Sequence, residues 1–324
     1  MPPRDARAAD WSQDSGVSGS RSRYAPTTNE CDVYVMSTSP VDEFGEAPLY
    51  AGKEGLMSTN ANLPNVNSLF QTAASEGVLS PASLAALQVI DFGQQIQNAL
   101  GVPADDVAAS EVVLVTLLID DSGSIRFAGN VAAVRDGHNR VLDALKASKQ
   151  QDAILVHTRY LNGHILFPYS PLIQAKRMDK QNYNPTLGTP LYDETVATLG
   201  AVLAKTQEFA DNGVPVRTVT LLVTDGDDQC SCKANAGKVK ALVDDMLRQE
   251  CHIVAGMGMN DGSTDFGLVF RGMGIRDEWI LTPSNSPTEI RRAFEVFSQS
   301  AVQASQGGVQ FGQTTLSGVK TKSP

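Results

Sequence analysis

The sequence predicts an α/β fold with a mostly parallel central sheet and helices on both faces, and three observations carry that reading. Strand-like and helix-like patterns alternate from 111 to 305, as expected of βα repeats. Two apolar or β-branched runs, 114–119 and 218–224, contain no charged residue, which suits strands buried on both faces. The first run stops at Asp120 and the second at Asp225. In an open sheet of this kind, ligands bind beyond the C-terminal strand ends, where the strand order reverses.

Residues 1–28 are rich in Ser, Arg, Asp and Ala without periodicity and read as a flexible arm. An N-terminal extension, 29–110, follows. Within it 31–37 alternates like a short strand, and 38–78 reads mostly as loop. Ser80-Pro81 is a cap followed by a first-turn proline. It opens one helix near 80–100, with Leu84, Leu87, Ile90 (or Val89), Ile96 and Leu100 at roughly helical spacing and Gly101 at its end.

The unit 111–305 begins with the buried strand that ends at Asp120. After Ser124, one helix carries Phe127, Val131, Val134, Val141, Leu142 and Leu145 on a single apolar face. A strand at 152–160, the turn Leu161-Asn162-Gly163 and a returning strand at 164–169 form a hairpin, so one edge strand is antiparallel. A polar loop at 176–188 leads to Thr189-Pro190, a second cap-plus-proline helix start, and that helix ends near Asn212-Gly213. Beyond Asp225 come a helix with Val239, Leu242, Val243 and Met246 inward, a strand at 252–257, a short helix at 266–273 and a last strand at 279–281. Ser286-Pro287-Thr288-Glu289 forms a capping box for the final helix. Residues 306–324, dominated by Gly, Gln, Ser and Thr, read as a flexible tail.

Composition narrows the function. With 42% hydrophobic residues in 324, the chain can build a normal core, and its net charge of −10 disfavours nucleic-acid partners. No apolar run reaches the 18 or so residues that span a bilayer. Four cysteines suggest no disulfide scaffold, and the polar N-terminus lacks a signal-peptide centre. A cytoplasmic protein with reduced thiols is the expectation.

The chemistry concentrates at the strand ends. Asp120-Asp121-Ser122-Gly123-Ser124 crowds oxygen ligands between a strand and a helix, which points to a hard cation. The pattern Asp-x-Ser-x-Ser, followed in order by Leu187-Gly188-Thr189 and Thr224-Asp225-Gly226, resembles the metal-ion-dependent adhesion site of von Willebrand factor A domains, across about 195 residues from 111 to 305. That resemblance implies a three-layer Rossmann-like fold of the bacterial intracellular type, with Mg²⁺ (Mn²⁺ also) held by Asp120, Ser122, Ser124, Thr189 and Asp225. The family often has Gly-Gly-Thr at the second loop, and Leu187 here leaves Thr186 as a weaker alternative. The implied function is non-enzymatic: the metal keeps one position open for an Asp or Glu of a protein partner. An AAA-type ATPase or a multi-subunit assembly is the partner that bacterial relatives suggest.

Two other functions stay open at this point. One is a metal-dependent phosphate-handling enzyme using Asp120 or Asp121; the other is a structural subunit whose metal site is inessential. Asp121, Asp193, Asp227 and Asp228 read individually as solvated loop carboxylates. His138 reads as a half-buried packing residue, and no histidine neighbours Ser122 or Ser124 to support a hydrolase triad. Cys230 and Cys232 fall at the opposite end of a parallel strand from Cys251, which disfavours a zinc site.

Overall fold

The run 112–119 pairs on both sides, so its backbone donors and acceptors are satisfied while its side chains fill both faces. This strand, β1 (Val112–Ile119), is buried along its whole length. A computed structural model describes residues 65–186 and 188–306. The arm at 1–28, the strand expected at 31–37 and the tail at 307–324 lie outside the described residues, which fall within one compact unit.

β1 is flanked by β2 (Ile154–Tyr160) and β4 (Val216–Thr224), both parallel to it. β3 (Ile165–Pro171) pairs antiparallel with β2 at one edge. β5 (His252–Gly258) and β6 (Ile280–Leu281) extend the other side in parallel, giving the order β3-β2-β1-β4-β5-β6. The order reverses between β1 and β4, the pair whose tips carry Asp120 and Asp225. This is the expected mostly parallel sheet with one antiparallel edge strand.

Three helices lie where the sequence suggested a loop and a single helix. α1 (Val66–Ser75) has Asn65 as its cap and buries Val66, Leu69, Phe70 and Ala73. That i, i+3, i+4, i+7 spacing was present in a stretch read as mostly loop. The helix expected near 80–100 is two, α2 (Pro81–Leu87) and α3 (Ile90–Ala99). Val89 is extended (φ −69°, ψ 124°) and serves as the cap of α3, so the helical path turns there. Ser80 caps α2 as expected, its hydroxyl accepting the Ser83 N–H.

α4 (Gly123–Phe127) and α5 (Val131–Lys146) replace the one helix expected after Ser124. Gly129 stands between them at φ +75°, a left-handed conformation that ends α4. The break turns Phe127 out to solvent, against expectation, while Val134, Val141, Leu142 and Leu145 stay buried. His138 is also corrected: it is wholly buried, with Nε2 3.1 Å from the Thr158 hydroxyl.

α6 (Leu191–Asp211) is buried almost all round. It packs on β1 and β4 on one side and against α1, α2 and α3 on the other, the arrangement that leaves a helix little face for solvent. The contact is close because Gly200 has no side chain. A Cβ there would lie 2.6 Å from Ile96 Cδ1 and 2.8 Å from Leu87 Cδ2. α7 (Ala236–Arg248) joins this layer, while α5 packs on α9 (Pro287–Gln306). Ser286 accepts the Glu289 N–H at 3.3 Å, the forward half of the expected capping box. α8 (Phe266–Gly272) follows β5.

Candidate metal site

β1 ends at Asp120, and both of its carboxylate oxygens are engaged. Oδ1 accepts the Ser122 N–H at 2.7 Å, and Oδ2 accepts the Thr224 hydroxyl at 2.8 Å and the Asp225 N–H at 3.3 Å. The loop after β1 is thereby tied to the loop after β4. Asp225 Oδ1 in turn accepts the Ser124 hydroxyl at 2.6 Å and the Ser122 hydroxyl at 3.3 Å, and the two serine oxygens are 2.8 Å apart. Residues about a hundred positions apart in sequence thus form one cluster of oxygens. Asp120, Asp121, Ser122 and Asp225 are buried, whereas Ser124 is exposed, so the cluster opens to solvent on the Ser124 side.

Thr189 arrives on a third loop. It is 2% exposed, and its carbonyl accepts the Gln229 N–H at 3.0 Å from the loop after Asp225. Gly188 allows this approach, since a Cβ there would come within 2.6 Å of Cys230 Sγ. Pro190, not Thr189, occupies the cap position of α6, and no side chain caps that helix. The Thr189 hydroxyl is therefore not used as the cap the sequence suggested. Among the described residues it is not hydrogen-bonded to Asp120, Ser122, Ser124 or Asp225, which are linked directly to one another. Thr186 is exposed, and its N–H donates to the Asp121 carbonyl.

Two residues that sequence reasoning left unassigned brace the cluster. Tyr183 donates its hydroxyl to the Asp120 carbonyl at 2.6 Å, and the Thr224 hydroxyl holds Asp120 Oδ2. Thr224 adjoins Asp225 and was legible by position; nothing local marks Tyr183. Asp121 lies beneath the hairpin turn, accepting the Asn162 N–H at 3.1 Å. Asp193 proves to be a buried carboxylate on α6 that accepts the N–H groups of Cys232, Lys233 and Ala234. Asp228 is likewise engaged by Tyr192 N–H and the Ser231 hydroxyl.

The electrostatics of the cluster follow from its lack of a cation. Among the described residues no ion pair includes Asp120, Asp121 or Asp225. Burial lifts the Asp120 carboxyl above its ordinary range. Burial, then the neighbouring Asp120 charge, pushes Asp121 up to about 7 and Asp225 up to about 6. No described group of three His, Cys, Asp or Glu residues could hold a metal; the gathered donors are instead carboxylates and hydroxyls. An all-oxygen set is the donor chemistry of a hard divalent cation. Converging buried acids without a counter-charge fit a divalent cation.

The hairpin at one edge, the reversal between β1 and β4, and Asp-x-Ser-x-Ser meeting an aspartate from β4 occur together here. The strand order and the order of these motifs resemble those of a von Willebrand A domain. No protein-family model matches the chain, and no curated protein matches it. Among solved structures it is similar to the VWA domain of SpRpn10, at 11% identity over 61% of this chain and 99% of that one, with a TM-score of 0.41. It is also similar to proximal thread matrix protein 1 from the mussel byssus (14%, 59% and 46%, TM-score 0.40). A third is the manganese-loaded TRAP protein of Plasmodium vivax (15%, 57% and 73%, TM-score 0.35). The mussel protein has also been solved with zinc in its MIDAS motif. The chain spans under half the length of the mussel protein.

Proposed function

We propose that the chain is a Mg²⁺-dependent protein-interaction module without enzymatic activity. In this reading Asp120, Ser122, Ser124, Thr189 and Asp225 hold the metal, and a partner's Asp or Glu completes its shell. The observation that carries the reading is the oxygen cluster at the tips of β1 and β4, which holds buried carboxylates that are in no ion pair among the described residues and is open at Ser124. A bound Mg²⁺ supplies positive charge and a coordination position for a further carboxylate.

The chain's own residues do the rest. The Ser122 N–H and the Thr224 hydroxyl fix Asp120, so it orients the loop. Ser122 and Ser124 present neutral oxygens. Two carboxylates and three hydroxyls leave a divalent cation short of charge where an aspartate acts through water, and that favours an acidic partner over a neutral one. No described helix is long and apolar enough to cross a membrane.

The test is capture of partners from native extract on the full chain, in Mg²⁺ and in EDTA, with a Ser122→Ala/Ser124→Ala double variant. Capture by the wild type that EDTA and the double variant both abolish is the expected result. A partner held equally well in EDTA overturns the metal bridge and favours a structural subunit instead.

A further inference from the structure

Phe127 is 83% exposed at the end of α4, three residues beyond Ser124. Ser124, Arg126, Phe127, Ala128 and Gly129 are all exposed, so the open side of the oxygen cluster continues directly into this patch. The Phe127 ring lies 3.4 Å from where a Cβ on Gly123 would stand, and the Arg126 guanidinium carbon sits 5.3 Å from its centroid. An aromatic ring so placed presents a large apolar area to water, and aromatic side chains are frequent interface anchors.

The rim is also asymmetric in charge. Arg126 flanks the cluster on the α4 side. The loops after β4 and β5 instead carry exposed Asp227, Asp261 and Asp265, and Asp261 is close enough to raise the Asp225 carboxyl. A partner carboxylate approaching Ser124 is drawn toward Arg126 and repelled from the opposite rim.

We infer that the partner is a protein segment carrying an apolar side chain next to its acidic residue, and that Phe127, braced by Arg126, is the contact that selects it. This rests on the metal-bridged reading above. The acidic side chain enters at Ser124 while the neighbouring apolar side chain lies on the ring. Phe127 sets specificity and does not hold the metal.

The experiment pans random linear peptides displayed on phage against the immobilised full chain in Mg²⁺ and elutes with EDTA. Wild type is expected to enrich clones with Asp or Glu and a Leu, Ile, Phe or Trp within a few positions. Phe127→Ser is expected to keep the acidic preference and the Mg²⁺ thermal stabilisation but lose the apolar preference. A selected clone should then bind about tenfold more weakly, the scale of one apolar contact. Acidic clones with no apolar neighbour, or an apolar preference unchanged in Phe127→Ser, overturn the inference. So does a Phe127-dependent dimer of the chain in sedimentation, which makes a second copy the occupant. Acidic clones without the apolar neighbour leave the metal bridge standing, whereas Mg²⁺ stabilisation without acidic clones overturns the acidic-partner reading as well, and loss of both overturns the metal reading beneath it.

Discussion

Helix α6 and the tips of β1 and β4 both bury carboxylates, but among the described residues only Glu194 and Glu208 of α6 are paired with cations. Glu194 pairs with Arg159 of β2, whose guanidinium also donates to Gln95 of α3. Glu208 accepts from Lys205 at 2.9 Å and from the Ala104 N–H at 2.8 Å, while Lys205 also donates to the Val102 carbonyl. Those charges are closed within the fold, and they fasten the segment before β1 to α6. At the strand tips Asp120, Asp121 and Asp225 accept hydrogen bonds, and none of them is in an ion pair among the described residues. A closed pair holds the core together; an unmatched cluster at an opening is a place for something to bind. Opposite responses to charge removal follow from that difference.

The largest effect is expected at the closed pair. Arg159 is 0% exposed, and Arg159→Ala leaves Glu194 buried without its cation. Removing one partner of a buried pair costs about 3–5 kcal/mol. Urea unfolding should show a loss of that size, and a loss below about 1 kcal/mol would mean the pair is not holding α3, α6 and β2 together.

The next effect is the metal itself. A ligand at about a hundred times its dissociation constant stabilises the fold by about 2.7 kcal/mol, or roughly 5–10 °C for a domain of this size. Mg²⁺ and Mn²⁺ should each raise the melting temperature, and Ser122→Ala/Ser124→Ala should remove the rise without lowering the metal-free midpoint. A rise that survives in the double variant assigns the metal elsewhere.

That stabilisation should depend on pH with a definite sign. Without metal, Asp121 titrates at about 7 and Asp225 at about 6 in the folded chain, against about 3.9 when unfolded. Between those values the unfolded chain holds fewer protons, so metal-free stability falls as pH rises. The slope is at most about 1.4 kcal/mol per pH unit per group, and less for Asp225, where water screens the charge. His138, His157 and His252 oppose it: burial lowers them to about 4, 3 and 3. Their stability is lost as pH falls below about 6.5. That histidine contribution is the same with and without metal. The difference between Mg²⁺ and EDTA melts should therefore grow from about pH 5 to about pH 7. A flat or inverted difference would exclude these carboxylates as the coupling groups.

Asp225→Asn should act in the sense opposite to Arg159→Ala. The amide oxygen can still accept from Ser122 and Ser124, while the like-charge contact with Asp120 disappears. Metal-free stability is expected to hold or to rise by about 1 kcal/mol, with the Mg²⁺ response lost. Destabilisation in EDTA as large as that of Arg159→Ala would erase the contrast between the two regions. Thr189→Ala should have the smallest effect on folding, under about 1 kcal/mol, because its hydroxyl does not cap α6. Its expected signature is a reduced Mg²⁺ shift, and an unchanged shift would remove Thr189 from the ligand set.

Much of this molecule is written in short-range patterns. Uninterrupted apolar runs, the Asn162-Gly163 turn and the capping serines at 80 and 286 announced β1, β4, the hairpin and two helix starts, because period, turn and cap are decided by neighbouring residues. Asp120 and Asp225 were legible as candidates for the same reason, each standing where a buried run stops. Val66, Leu69, Phe70 and Ala73 carried a helical signal behind Asn65 that was there to be read. What only the tertiary structure decided is long-range. The turn at Val89, the outward Phe127, the burial of His138 and Asp193, and the pairing of Arg159 with Glu194 depend on which surfaces meet. No local pattern contains that information, because burial and charge pairing are settled between residues far apart in the chain. The strand tips show both levels at once: the sequence placed oxygens at the ends of two strands, and the packing of β1 beside β4 left their charges together with no cation of their own.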